Sequence, residues 1–393
     1  MNSVTSGEGR IRIQLRSRGQ RVEDVHIESS RPVAACQVLV GRTPQEAPAI
    51  AASLFGVCRQ AQSLACRRAC DAASGQLAGS EQDTGTALGV EIEILREHAW
   101  RFLLDWPARF HAPARDAEMR QILILLQALE ASAKQVSKRT TSAQNRSGDA
   151  AQALDKLGTM LTAVIAGPKG RAAIDTDDGA FEDWCANEND GMAWLFKNVL
   201  HPGLASLGSS PVALMAQLDL AAIDARLAKD SDGGFVSAPD WDGAGLETGP
   251  LARHQRHPLV TWAHERAGSG LLARLLARLL DLFAGLDRIR QIIHGEHAPA
   301  DLENLGGEYQ GRRFGLARVE TARGSLVHRV EIQGDAVHRY QILAPTEWNF
   351  HPRRGPLIAG LAGLTGHPDQ LVPLANMVVT ALDPCVDFEL SVA

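Results

Sequence analysis

The chain has 393 residues, 45% of them hydrophobic and 22% charged, which are ordinary proportions for a globular protein of one large domain or roughly two or three smaller ones. Lys and Arg number 40 against 46 Asp and Glu, a net charge of −6, and aromatic residues make up 5%. That balance excludes a phosphate-tracking nucleic-acid binder and a polybasic membrane anchor, and so few aromatics exclude a base-stacking platform.

Arg10 to Arg16 alternates, with Ile11, Ile13 and Leu15 on one face, as a half-buried strand does. A turn at Arg18-Gly19-Gln20 leads into a weaker strand over Arg21 to Ile27, in which Val22 is out of step with Val25 and Ile27. Thr43-Pro44 opens a helix over Gln45 to Leu54, with Thr43 as N-cap and Glu46 in the capping-box place. Helices are expected over Cys58 to Ala73, Glu91 to Leu104, Arg115 to Ala133 and Ala151 to Ile165, and a polar surface loop over Lys134 to Ala150. Lys229 to Pro250 reads as a long excursion. A helical stretch then runs from Pro258 to Ile293, with a break expected at Gly268-Ser269-Gly270. Its most apolar part, Leu271 to Leu286, is interrupted by Arg274, Arg278 and Asp281 and falls short of the ~20 uncharged apolar residues a bilayer needs.

From Tyr309 the pattern is strand again, with a hairpin over Val327–Ile332 and Ala336–Leu343 joined through Gly334-Asp335. The tail is loop-like around Pro345 and Pro352, with a helix over Pro356 to Leu364 or Leu371 to Ala381. Strands at both ends with helices between them imply a mainly helical α+β fold. We read 1–393 as one domain: a β-hairpin region over 1–45, a helical core over 46–300, a β-hairpin over 308–345 and a C-terminal segment over 346–393 carrying Cys385. The N-terminus has no hydrophobic signal region, so a cytoplasmic protein with free thiols is expected.

Nucleotide-loop, metalloprotease and nucleophile-elbow motifs are absent, as is any CxxC pair. Cys66 and Cys70, spaced i, i+4, read as packing thiols, and His254, His257 and His264 as polar surface. Cys58 stands at a helix mouth, where the dipole and free N–H groups favour a thiolate. Cys385 follows Asp383-Pro384, and the proline is expected to hold Asp383 extended.

Six segments, in order and spread over the chain, resemble the large subunit of nickel-iron hydrogenases. Glu8-Gly9 with Ile11-Arg12-Ile13 resembles E-G-H-[LI]-R, and Gly41-Arg42-Thr43-Pro44 with Leu54-Phe55-Gly56-Val57-Cys58 resembles G-R-x-P … R-x-C-G-I-C-x-x-x-H. Glu247 to Arg253 is similar to E-V-G-P-L-A-R, and Glu320 to His328 to E-A-P-R-G-x-L-x-H. Tyr340 to Asn349 resembles Y-Q-x-x-x-P-T-T-W-N, and Asp383-Pro384-Cys385 resembles D-P-C-x-x-C-x-x-H. The resemblance implies a large-subunit-like helical bundle with small β elements near the N-terminus and in the C-terminal third.

The departures define a subset. The family has four thiolates, two bridging nickel and iron and two terminal on nickel. Here Phe55 and Phe388 replace one cysteine of each pair, Gln62 stands for the first His and Ser391 for the last, with no extension expected beyond it. Nickel needs soft thiolates, so a catalytic enzyme and bound nickel are not expected. These features, with Glu91 to Glu97 and Leu104-Asp105-Trp106-Pro107, resemble the HupK/HoxV-type hydrogenase maturation proteins. The resemblance implies a non-catalytic assembly protein that holds an Fe(CN)2(CO) unit before delivery, or else a metal-free mimic of the large subunit acting as a chaperone. Implied partners are a HypC-type chaperone, the iron-cofactor assembly complex and the hydrogenase large-subunit precursor, with no nucleic acid and no membrane.

Carried over residue by residue, Cys58 and Cys385 would ligate iron. Arg323 would face one cyanide and Thr346 donate to the other, with Ala344 and Pro345 as an apolar wall and Glu8 from the first motif nearby. Gln62, one turn beyond Cys58, could donate its amide to that sulfur. Phe55 and Phe388 would fill the nickel side, and Cys36, Asp387 or water could complete the iron.

Overall fold

The computed structural model of the protein describes residues 9–31, 33–76, 81–136, 143–187, 191–294 and 303–393. Glu8, expected near the site, lies outside the described residues. The fold is α+β and mainly helical. Contacts divide the chain into two compact units, one of Met1–Gly79, Val212–Gly249 and Ala300–Ala393, the other of Ser80–Pro211 and Pro250–Pro299. The stretch 46–300 expected as one helical core is therefore shared between them.

The strands all lie in the first unit: β1 (Arg10–Arg18), β2 (Arg21–Ser29), β3 (Ala213–Leu214), β4 (Leu246–Glu247), β5 (Glu303–Tyr309), β6 (Arg312–Thr321), β7 (Gly324–Gln333), β8 (Ala336–Leu343) and β9 (Asp387–Val392). They make three sheets, ordered β2-β1-β9, β3-β4 and β5-β6-β7-β8. β1 and β2 form the expected hairpin. Arg16 pairs with Asp24 but Ser17 pairs with Val22, so Glu23 is an extra, bulged residue. The bulge turns Val22 onto the face of Val25 and Ile27, and all three are buried. The out-of-step valine is thus the signature of the bulge.

β9, where no element was expected, runs parallel to β1 from Arg10–Asp387 to Leu15–Val392. Half-buried Phe388, Leu390 and Val392 alternate with exposed Asp387, Glu389 and Ser391, a period-2 signal present in the sequence but only six residues long. Glu389 bridges the guanidinium groups of Arg10 and Arg12.

The hairpin expected over 308–345 is two strands of an antiparallel meander that begins at Glu303. β7 is buried on both faces. On one face Val330 and Ile332 meet Cys66, Ala69, Cys70 and Ala73 of the Arg59–Ala73 helix. On the other, Val327 with Leu316 and Leu343 meets Leu220, Ile223 and Leu227 of the Leu220–Lys229 helix. The first helix lies unusually close to the sheet, because a Cβ on Gly306 or Gly315 would sit 2.1 Å from the Ala72 carbonyl or 1.9 Å from that of Ala69. Upstream, Thr43 and Glu46 form the expected capping box. The Glu46 carboxylate accepts from the Thr43 N–H at 3.1 Å and its hydroxyl at 2.9 Å, and the Glu46 N–H donates to the Thr43 hydroxyl at 3.3 Å.

The second unit is helical. Its longer helices are Glu81–Trp100, Asp116–Val136, Ala143–Leu161, Pro258–Ala267 and Leu271–His294, and the last two are separated at Gly268-Ser269-Gly270 as expected. Helix occupies both ends of the 134–150 stretch expected as loop. A run of polar residues suits a solvated helical turn as well as a loop, and this helix takes its packing from Leu154, Leu157 and Leu161.

The three charges that interrupt the Leu271 to Leu286 part of the Leu271–His294 helix, Arg274, Arg278 and Asp281, are buried. Asp281 accepts from His98 Nε2 at 2.7 Å, Arg253 Nη2 at 2.6 Å and His254 Nε2 at 3.0 Å, while Arg278 Nη1 donates to His98 Nδ1 at 3.1 Å. A buried carboxylate persists only when so surrounded. Burial lowers the His98 pKa to about 4, so a neutral ring accepts from Arg278 and donates to Asp281. His254 is thus part of a buried cluster rather than the polar surface expected. His257 caps the next helix by accepting from the Leu259 N–H at 3.3 Å, and His264 is exposed. Among the described residues no helix is long and apolar enough to cross a membrane.

Candidate functional site

The expected site residues other than Glu8 all lie in the first unit. Cys58 is the N-cap of the Arg59–Ala73 helix, half-buried. One turn on, Gln62 Nε2 lies 3.5 Å from Cys58 Sγ, within donor range of a sulfur. The Gln62 Oε1 faces His328 Nε2 of β7 at 2.8 Å, and His328 Nδ1 lies 2.7 Å from the Tyr340 hydroxyl of β8. Gln62 is 2% exposed and His328 and Tyr340 are fully enclosed. Burial depresses the His328 pKa to about 3 and raises that of Tyr340 well above the phenol range, so both are neutral.

Cys385 follows the Pro368–Leu382 helix. Asp383 caps that helix at φ 56°, in the left-handed region rather than the extended conformation expected ahead of Pro384. An aspartate tolerates that region, and the Asp383 N–H still closes the last helical turn on the Val379 carbonyl at 2.8 Å. The Thr346 hydroxyl donates to Cys385 Sγ at 3.2 Å. Thr346 belongs to the short Pro345–Asn349 helix, which stands where loop was expected, and Ala344 and Pro345 before it are buried. Arg323 occupies the tight turn between β6 and β7, its guanidinium 3.2 Å from Asp383 Oδ1, both side chains buried. Asn349 pins the Thr248 backbone through two bonds of 3.0 and 2.9 Å, and the Thr248 hydroxyl accepts from the Ser325 N–H at 3.0 Å, which ties three of the quoted motifs together.

Sequence reasoning missed Arg31. It follows β2, its side chain 11% exposed, and is ion-paired with Glu347. Burial alone would lower its pKa, but the negative charges of Cys385, Glu347 and Cys58 raise it above the ordinary arginine value. One guanidinium therefore feels both thiols. Burial pushes the Glu347 carboxyl upward against the pull of Arg31. The sheet register accounts for the placement: Ser29 pairs with Ile11 and Asp387 with Arg10, so Arg31 lies one residue and Cys385 two residues beyond the same end of β1. The available signal was Glu347 itself, an acid where the quoted motif has Thr, which in an apolar run requires a cation.

The remaining candidates divide. Cys36 is buried in the core against the helix–sheet interface, donates to the Tyr340 carbonyl at 3.4 Å, and burial raises its thiol to about 11. Cys66 and Cys70 are core residues, and Cys70 is raised further by its bond to Cys66 and by burial. Asp387 is exposed on β9, where Phe388 is half-buried opposite Ile11, and Phe55 is half-buried at the end of the Ala47–Leu54 helix. Among the described residues no group of three or more His, Cys, Asp or Glu is arranged to hold a metal ion. The candidate site is instead two thiols, Cys58 beside Gln62 and Cys385 beside Thr346, with Arg31 and Arg323 as buried cations.

The fold is that of the large subunit of nickel-iron hydrogenases. A family model described as nickel-dependent hydrogenase matches residues 207–387. The NiFeSe hydrogenase of D. vulgaris Hildenborough, in its G491S variant, superposes with a TM-score of 0.66 over 94% of each chain at 17% identity, and that of Desulfomicrobium baculatum with 0.62 over 94% of this chain and 95% of that one at 15%. The chain is 32% identical over 393 residues to the hydrogenase expression/formation protein HupK of Rhizobium leguminosarum bv. viciae, covering 98% of this chain and 97% of that one. It is 27% identical over 378 residues to the hydrogenase expression/formation protein HoxV of Cupriavidus necator, covering 93% and 92%. The chain belongs to the HupK/HoxV family of hydrogenase expression/formation proteins, homologues of the hydrogenase large subunit.

Proposed function

We propose that the protein is a non-catalytic hydrogenase maturation factor that holds the Fe(CN)2(CO) unit as cargo before its transfer to the large-subunit precursor. The observation that carries this reading is the thiol pair. Of the four cysteines in the quoted large-subunit motifs, Cys58 and Cys385 remain, each with a hydrogen-bond donor at its sulfur. Two thiolates beside Fe(CN)2 make a unit of about −2, costly to bury unless cations and donors surround it. Arg31 and Arg323 supply fixed positive charge, and Thr346 a hydroxyl. Phe55 and Phe388 stand where nickel would need further thiolates, which supports a site for one metal.

The partners of this reading are a HypC-type chaperone with the iron-cofactor assembly complex, and the hydrogenase large-subunit precursor, met through the region around Cys58 and the C-terminal segment. The test is an infrared spectrum of the full chain co-produced with the iron-cofactor machinery. Cyanide and carbonyl stretches that vanish in Cys58→Ser support the scaffold. Their absence from a protein that still captures the precursor overturns it in favour of a metal-free large-subunit mimic.

A further inference from the structure

Behind Cys58 the first unit contains a line of polar groups that ends in the fully enclosed His328 and Tyr340. It runs from Cys58 through Gln62 and His328 to Tyr340, with contacts of 3.5, 2.8 and 2.7 Å. The amide as placed, with Oε1 on His328 and its NH2 on Cys58, selects one of two proton arrangements along it. A neutral imidazole carries one N–H, and a phenol held above its usual range keeps its single proton. If Tyr340 donates to Nδ1, the N–H sits on Nε2, Gln62 must receive it on Oε1, and the amide NH2 is turned to Cys58. With the proton on Nδ1 instead, Nε2 would demand the NH2, and Gln62 would present its carbonyl oxygen to the sulfur. An oxygen there would oppose a thiolate, whereas an N–H supports one.

We infer that His328 and Tyr340 are positioning residues that lock the Gln62 amide with its donor toward Cys58. Neither touches the sulfur, and the line itself carries no net charge. The Arg59–Ala73 helix lies against β6 at Gly315, and His328 comes from β7 beside it, so the contact of Gln62 with His328 depends on this close packing. The inference rests on reading Cys58 as a ligand, but its test uses no metal. A failed infrared experiment and a failed positioning line are therefore distinguishable.

The experiment uses the full chain with 15N-labelled histidine, the His328 signals being assigned by their loss in His328→Phe. The expected signature is a neutral ring protonated on Nε2, replaced by a mixture of tautomers in Tyr340→Phe. In parallel, alkylation of each thiol by iodoacetamide at neutral pH is followed by peptide mass spectrometry. Tyr340→Phe should slow Cys58 about threefold. Cys385 should react unchanged. In Gln62→Leu, which has no amide to turn, adding Tyr340→Phe should change nothing further. Protonation on Nδ1 in the unaltered protein overturns the inference. So does equal slowing of Cys58 by Tyr340→Phe with and without Gln62→Leu, because that is the mark of a general structural effect.

Discussion

Cys58 and Cys385 stand 327 positions apart in the chain and share one buried guanidinium, that of Arg31. Cys58→Ser and Cys385→Ser should each abolish retention of the cyanide-bearing iron unit while circular dichroism stays unchanged, since oxygen for sulfur removes a ligand and little volume. Arg323→Leu should weaken retention without abolishing it. Arg31 has a second consequence. Arg31→Met strands Glu347 in a buried place and should cost about 3–5 kcal/mol in denaturant unfolding. Adding Glu347→Leu should recover most of that loss, and no recovery would show that the pair is not the cause. At this scale Gln62 and Thr346 were legible, because one lies a helical turn from Cys58 and the other belongs to a quoted motif. Arg31 and the partnership of His328 with Gln62 were not, because both depend on strand register and on which face of β7 meets the helix.

Elements were legible where their pattern was long. The β1–β2 hairpin, the helix starting at Cys58 and the break at Gly268 came from periodicity and turn chemistry alone. β9 and the Pro345–Asn349 helix escaped because so few residues carry weak periodicity, and the helical turns within 143–150 because polar composition does not separate a wet helix from a loop. The closeness of the Arg59–Ala73 helix to the meander can be tested directly. Gly315→Ala places a methyl group on the Ala69 carbonyl and should destabilise the protein by about 1–3 kcal/mol. It should also slow Cys58 alkylation, since the helix that carries Gln62 must shift from the strand that carries His328. Unaltered stability would mean that the two elements do not lie that close.

For the whole molecule, the sequence gives a direction to acid sensitivity once burial is known. His98 and His328 have folded pKa values near 4 and 3, below the ordinary 6.5 of the unfolded chain. Between those values the unfolded state binds more protons, so stability must fall as pH drops from about 6.5 toward 4, by up to about 1.4 kcal/mol per pH unit for each group. His98→Gln, which can keep a donor for Asp281 and an acceptor for Arg278, should remove about one proton from that slope in unfolding titrations. An unchanged slope would mean that His98 is already charged in the fold. Elemental analysis of the protein purified from nickel-replete cells should show no stoichiometric nickel, and one tightly held nickel per chain with hydrogen uptake would reverse the functional reading.

The parallel pairing of β9 with β1 also orders events during synthesis. β9 leaves the ribosome after every other strand, yet its partner is among the first segments made. Until β9 has emerged, Cys385 has not been joined to β1. The proposed two-thiol site is therefore completed only when β9 joins β1. Closing the sheet requires the longest loop in the molecule, so it belongs among the slow late steps of folding. A ribosome-held chain with β9 still in the exit tunnel should display a reactive, ligand-incompetent Cys58. On the proposed reading, the cargo would meet both sulfurs only once β9 has paired with β1.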